Sequence, residues 1–260
     1  VYQGVMINAV VTGLFLGISS GGTILLGQCV GAKNDREAAL ATGNIITISL
    51  IAAVITAAVL LLGGRGIISL MRVPAEATGE AWNYLFVCTC GAFFIMGYNV
   101  VGAILRSLGD SRAPFFFILI ASVINVVLDY LFVGVMGLKA KGAAAATVTA
   151  QGVSFLLSVF YIWRKGLPFK FSVRDMRPQK STVLGILKLG IPISLQSTLN
   201  NFSFMIVGTI INTMGVYVSA GTSVVGTITG ICMMIPMSIS SSISAITAQN
   251  IGAQKPERAV

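Results

Sequence analysis

The 260 residues carry 17 Lys and Arg against 8 Asp and Glu, a net charge of +9; 55% are hydrophobic and only 10% charged. Soluble domains hold about 25% charged residues, so the composition excludes a soluble globular domain and reads as a membrane protein. There is no histidine, which leaves proton chemistry to carboxylates, and no Cys spacing suggests a metal centre, a disulfide or an enzyme.

Seven apolar runs follow along the chain: Val5–Leu26, Ala41–Leu62, Trp82–Leu105, Phe115–Val135, Ala143–Trp163, Ile191–Ile211 and Thr222–Ile246. Each has about the 20 residues that cross roughly 30 Å of hydrocarbon as a helix. They are continuously apolar and lack the alternation of barrel strands, so an all-α polytopic membrane protein is expected. The basic charge is distributed as a topology signal rather than as a nucleic-acid surface. Alternate loops hold 13 of the 17 basic residues, seven of them between Arg164 and Lys188. By the positive-inside rule that face is cytoplasmic, with Val1 outside and Val260 inside. Cys29, Cys88, Cys90 and Cys232 lie in or beside the runs and read as buried apolar thiols.

The first run ends in Gln28-Cys29-Val30-Gly31-Ala32 and the last in Gln249-Asn250-Ile251-Gly252-Ala253, an offset of 221 at which Gln, Gly and Ala coincide. Both turns fall on the same face, as expected of a parallel repeat about an axis along the membrane normal. The basic loop with Pro168 and Pro178 then divides the chain into residues 1–170, a linker 171–190, and residues 191–260. Matching the halves leaves the first one helix short, so the chain reads as a piece of a longer protein with one span before Val1. No secretory leader is read at its start.

The fourth run holds the most informative residue. Asp129 sits in an otherwise uncharged apolar stretch, and Asn125 lies one helical turn before it. Intramembrane carboxylates are costly and usually mark ion or proton pathways. Counted from the run ends, Asp129 lies roughly 9 Å below the outer surface and Thr147, on the next run, roughly 6 Å below it. A carboxylate, an amide and a hydroxyl at one depth suit sodium; alternatively the carboxylate takes up a proton. A structural network through Asn125 would use the same groups, and Thr147 alone often bonds its own helix.

The sixth run offers Gln196 and Asn200, four apart, facing either a cavity or a neighbouring helix. Met233, Met234 and Met237 make either an adaptable apolar wall or a lipid-facing surface. Pro192 and Pro236 kink or start helices. The small residues Gly142–Ala146 permit close helix packing. Arg106, Asp110 and Arg112 read as a local salt-bridged turn without a substrate role.

Several of these segments together resemble a known family. They are Leu105-Arg106-Ser107-Leu108-Gly109-Asp110-Ser111-Arg112-Ala113-Pro114, Asn125 with Asp129, Gly142-Ala143-Ala144-x-Ala146-Thr147 with Gln151, Gly190-Ile191-Pro192 and the two Gln-x-x-Gly-Ala turns. The pattern is similar to the bacterial multidrug and toxic compound extrusion (MATE) transporters over essentially the whole chain. The resemblance implies twelve helices in two lobes, of which this chain holds the second to the eighth. It also implies export of cationic or amphipathic compounds across the inner membrane, by a monomer, in exchange for H+ or Na+ and with no other cofactor. Asn125, Asp129 and Thr147 match three of that family's first-lobe cation residues; the fourth, an Asp on the first helix, has no counterpart here. Gln196, Asn200 and Met233 are the expected substrate-cavity residues. The alternative within the wider superfamily is a flippase for lipid-linked saccharide, which would call for basic residues in the cavity. The runs hold none in their interiors.

Overall fold

The computed structural model describes residues 2–70, 75–213 and 216–258. Every apolar run falls on helix, and no strand occurs among the described residues. The helices are α1 (Tyr2–Gly31), α2 (Asp35–Leu70), α3 (Ala75–Cys90), α4 (Ala92–Ser107), α5 (Arg112–Asp129), α6 (Lys139–Lys165), α7 (Lys180–Thr213) and α8 (Val216–Gly252). Among the described residues five are long and apolar enough to cross a bilayer, and the α3–α4 pair makes a sixth if taken as one span. Their outer surfaces are apolar, with Leu62 90% and Trp163 77% exposed, as lipid-facing helices require. Arg72, one of the four basic residues on the opposite face, lies outside the described residues.

Helices alternate in direction, so the loops at 32–34, 108–111, 166–179 and 253–255 share one end of the bundle, called here the basic end. The main core sits near that end, where Leu26, Ala38, Ala41, Ile45, Ile104 and Ile186 bring α1, α2, α4 and α7 together. Small residues let backbones meet. Gly17 and Gly21 of α1 cross Gly190 and Ser194 of α7 so closely that a Cβ on Gly21 would fall on the Gly190 backbone. This pairing ties the first helix to the seventh, and its four-residue spacing is visible in the sequence.

The repeat at offset 221 is reproduced bond by bond. Ala32, Lys33 and Asn34 donate to Gln28, Val30 and Cys29 at 2.9, 3.0 and 3.0 Å; Ala253, Gln254 and Lys255 donate to Gln249, Ile251 and Asn250 at the same distances. Lys33 and Gln254 both take the left-handed conformation, φ 56°, that closes such a helix end. Asn34 then caps α2 by accepting from Glu37 N–H at 3.2 Å.

Three expectations are corrected. The run Trp82–Leu105 is not one straight span: it breaks at Gly91, with a 54° bend between the helices on either side. At Gly91 the chain lies against the Val148 methyls of α6, where no side chain fits. The expected linker 171–190 is helical from Lys180 onward, because Ser181 to Lys188 continue the periodicity of α7. Of the four cysteines, all reduced, Cys88 is buried but Cys90 and Cys232 are exposed on apolar helix surfaces.

The segment between α6 and α7 is a docked strap. Arg36 pairs with Asp175 at 2.5 Å, Thr47 Oγ1 donates to Met176 O at 2.6 Å, and Gln179 N–H donates to Asn44 Oδ1 at 3.0 Å. Asp175 also accepts from Ser172 N–H, and this bond leads in holding its carboxyl below the usual range, with the Arg36 charge assisting.

Asp110 does not join Arg106 or Arg112. It accepts from Lys165 and from Tyr161 Oη, both at 2.6 Å, and from Ala113 N–H at 3.2 Å, so it caps α5 and clamps α6 beside it. Partial burial alone would raise its pKa, but these donors outweigh it and hold the carboxyl down to about 2 from 3.8. A depressed carboxylate contributes stability above its unfolded pKa and loses it as pH falls through the folded one. Asp110→Asn should therefore lower the melting temperature at pH 7, and the difference from the parent should close between about pH 4 and pH 2. Melting curves of both proteins across that window check it; a gap that persists at pH 2 would refute the assignment.

Candidate coupling site and central cavity

Asp129 ends the regular part of α5, and residues Tyr130–Val135 continue as a π-helical turn. Met136 N–H accordingly bonds Leu131 O, five residues back, at 2.9 Å. Such wide turns concentrate at functional sites, where they re-aim side chains. The far side of this corner is fixed by Glu80 of α3, whose carboxylate accepts from Ala140 N–H at the start of α6 at 3.2 Å.

The carboxylate and its neighbours are under-bonded. Asp129 Oδ1, Asn125 Nδ2 and Gln151 Oε1 are buried and have no hydrogen-bond partner among the described residues. A buried unsatisfied polar atom costs about 1–3 kcal/mol, more when charged, so three together on two adjoining helices need an explanation. Asn125, Thr147 and Gln151 line one cavity of about 110 Å3 between α4, α5 and α6, with Tyr98 and Ser122. Water occupies about 30 Å3 in the liquid, so this space suits a partly hydrated ion and is too small for a drug. Thr147 Oγ1 donates its proton to Ala143 O at 3.0 Å, which leaves its lone pairs available to a cation.

The structure thus joins Asn125 and Thr147 in one cavity. Asp129 does not line it and lies one turn farther along α5, its buried Oδ1 on the same helix as Asn125. Gln151 was quoted above only as part of a motif. Its position four residues after Thr147, on the same face of α6, was the available signal.

A second cavity of about 590 Å3 lies between α1, α4, α7 and α8. Its wall is rich in hydroxyls: Ser20, Thr23, Ser107, Ser197, Ser240, Ser241 and Ser244. Of the expected cavity residues Gln196 lines it; Asn200 and Met233 do not. Asn200 lies one turn beyond Gln196 and is exposed, and Met233, half exposed, is replaced in the wall by Met237 one turn later. The serine cluster at 240, 241 and 244 was missed, although its spacing places three hydroxyls along one side of a helix.

At the basic end this cavity has a floor. Gln249 Nε2 donates to Ser107 O at 2.7 Å, and Ser107 Oγ donates to Thr23 O at 3.0 Å, so α8, α4 and α1 are bonded together. Beside them the two repeat turns meet: a side chain on Gly31 would fall on Gln249 O, and one on Gly252 would fall on Gln28 O. Nearer the other end, Gly221, Gly226 and Gly230 of α8 have nothing within 4 Å among the described residues. The two helices touch backbone to backbone at the basic end.

Comparison with known proteins bears on the family and the fold. A sequence model of the MatE family matches residues 2–131 and 192–260. The chain is 33% identical over 192 residues to the probable multidrug resistance protein YpnP of Bacillus subtilis (strain 168), covering 74% of this chain and 43% of that protein. It is 29% identical over 250 residues to the probable multidrug resistance protein YoeA of the same strain, covering 94% and 54%. The chain therefore spans about half the length of the curated relatives it matches. Among solved structures, an outward-facing multidrug resistance MATE family transporter of the MOP superfamily superposes with a TM-score of 0.87 at 24% identity, over 100% of this chain and 58% of that one. That likeness shows the fold.

Proposed function

The chain belongs to the MatE family, and from that membership we propose that the protein is a secondary transporter that exports amphipathic small molecules in exchange for H+ or Na+. The observation that carries this reading is the set of unsatisfied buried groups on α5 and α6: Asn125 and Gln151 line one cavity with Thr147, and Asp129 lies one turn beyond Asn125. Asp129 supplies the charge, and the oxygens of Asn125, Thr147 and Gln151 would help to hold sodium; for a proton, Asp129 alone suffices. The substrate would enter the larger cavity, with Gln196 among its polar contacts. The basic end faces the cytoplasm in this proposal, by the distribution of Lys and Arg.

Ion and substrate affect each other only if each binds the two access states unequally. α4 offers a route for that coupling. Tyr98 stands at the ion cavity and Ser107 at the floor of the substrate cavity, on one continuous helix. Ion uptake that shifts α4 would bear directly on the bonds from Ser107 to α1 and α8.

Native protein in vesicles, loaded with a fluorescent amphipathic dye and given proton and sodium gradients separately, tests the reading. Export driven by one gradient names the ion; no movement under either would overturn the antiport. A lipid-linked saccharide flippase is the second reading, and Arg106 is the observation that favours it: it is basic and lines the larger cavity.

A further inference from the structure

Arg106 stands apart from the turn to which its sequence neighbours assign it. Asp110, four residues on, is engaged by Lys165 and Tyr161. Among the described residues no carboxylate lies within ion-pair distance of the Arg106 guanidinium. Side chains on a helix lean toward its N-terminus. Here the guanidinium lies back over Gly102, where a Cβ would stand 3.3 Å from Nη1, and so reaches one turn deeper into the bundle. There it lines the 590 Å3 cavity with Thr23, Gln196, Ser240, Ser241 and Ser244. Among the described residues of its wall there is no Asp, Glu or Lys.

An always-charged, half-buried guanidinium facing hydroxyls and an amide, with no counter-ion, is a site for an anion. A purely cationic substrate would instead meet an unopposed positive charge and no carboxylate. Resting on the transport reading above, we propose that the central cavity binds amphipathic molecules through a carboxylate or phosphate group held by Arg106, with the serines of α8 and Thr23 as secondary donors. The apolar part of the ligand would lie against Ile24, Ile193 and Met237. Lipid head groups and free amphipathic anions share this chemistry.

The test is equilibrium binding to native protein in detergent, with no gradient, so that its failure is separate from any failure of ion coupling. Fluorescein and rhodamine 6G share a ring system and differ in charge, and anisotropy reads both. Arg106→Gln should weaken fluorescein binding at least about tenfold, the value of a 1.4 kcal/mol charge-assisted contact, and leave rhodamine unchanged or tighter. Arg106→Lys, which keeps the charge, should retain most of the fluorescein affinity. If Arg106→Gln does not fold, Ser244→Asp places a carboxylate in the same cavity and should remove fluorescein binding while sparing rhodamine. Unchanged fluorescein binding in the variants, or equal loss of both dyes, would overturn the proposal. Competition by short-chain phosphatidylglycerol, and not by the phosphatidylcholine analogue, would identify a lipid head group as the ligand. Resistance to both lipids would identify a water-soluble anion. Either result keeps Arg106 as the anchor.

Discussion

Asp129→Asn should abolish gradient-driven export while leaving the protein folded. The substitution keeps shape and removes charge at a position whose Oδ1 has no partner among the described residues. One charge crossing the membrane yields about 2.3 kcal/mol per 100 mV. For a neutral substrate exchanged one for one, that supports a concentration ratio of roughly 40-fold per 100 mV, since about 1.4 kcal/mol is a factor of ten. The variant should bring that ratio to one. Downhill exchange of dye between vesicle faces should persist, because the larger cavity is untouched. Thr147→Val should be milder: it removes one oxygen worth about 1 kcal/mol, so the ion concentration for half-maximal export should rise roughly fivefold. Dye accumulation in vesicles under an imposed gradient measures both. Full accumulation by Asp129→Asn would reduce the residue to a structural role.

The second large effect is expected where the repeat turns meet. Gly31→Val and Gly252→Val each drive a side chain into the other helix's backbone carbonyl, so α1 and α8 must part at the basic end. Overpacking of this kind costs about 1–3 kcal/mol per site. Charged against the closed arrangement alone, the pair should shift the balance between closed and open ends by roughly 30-fold to 20,000-fold. Nitroxide labels at the exposed positions Lys33 and Lys255 should report a longer distance in the double variant, and export should fall. An unchanged distance would mean that the contact is not a gate. Gly→Ala at Gly226, with nothing within 4 Å, is the matched control and should change neither reading.

Hydropathy and helical spacing were enough to find the helices and to single out Asp129 with Asn125, because a carboxylate in an apolar run is conspicuous without any structure; Thr147 drew its weight only from its depth and from the family resemblance. Arg106 was misassigned for a physical reason: Asp110 and Arg112 are its neighbours in sequence, yet α4 ends at Ser107 and turns them away from it. The true partner of Asp110, Lys165, lies 55 residues distant. The bend at Gly91 was illegible because it answers to Val148, on another helix, and an apolar run looks the same straight or broken. Gln151 needed only the four-residue spacing from Thr147 to be noticed. Which polar groups are left unsatisfied cannot be read from spacing, and that is what sets Asp129, Asn125 and Gln151 apart from the other polar residues of these helices.

The strap from Gly166 to Gln179 has a consequence for how such a protein could be encoded. Arg36, Asn44 and Thr47 grip it along the first two turns and more of α2, and Gly43 is bare where the Asp175 carbonyl lies on it. A break in the polypeptide at Gly166, upstream of every one of these contacts, would leave the later helices still moored to α2. Two open reading frames divided there would yield pieces that carry their own address for each other, and a protease nick at the same point would be silent. The contacts of the strap with α2, rather than the peptide bond at Gly166, hold the two parts together there.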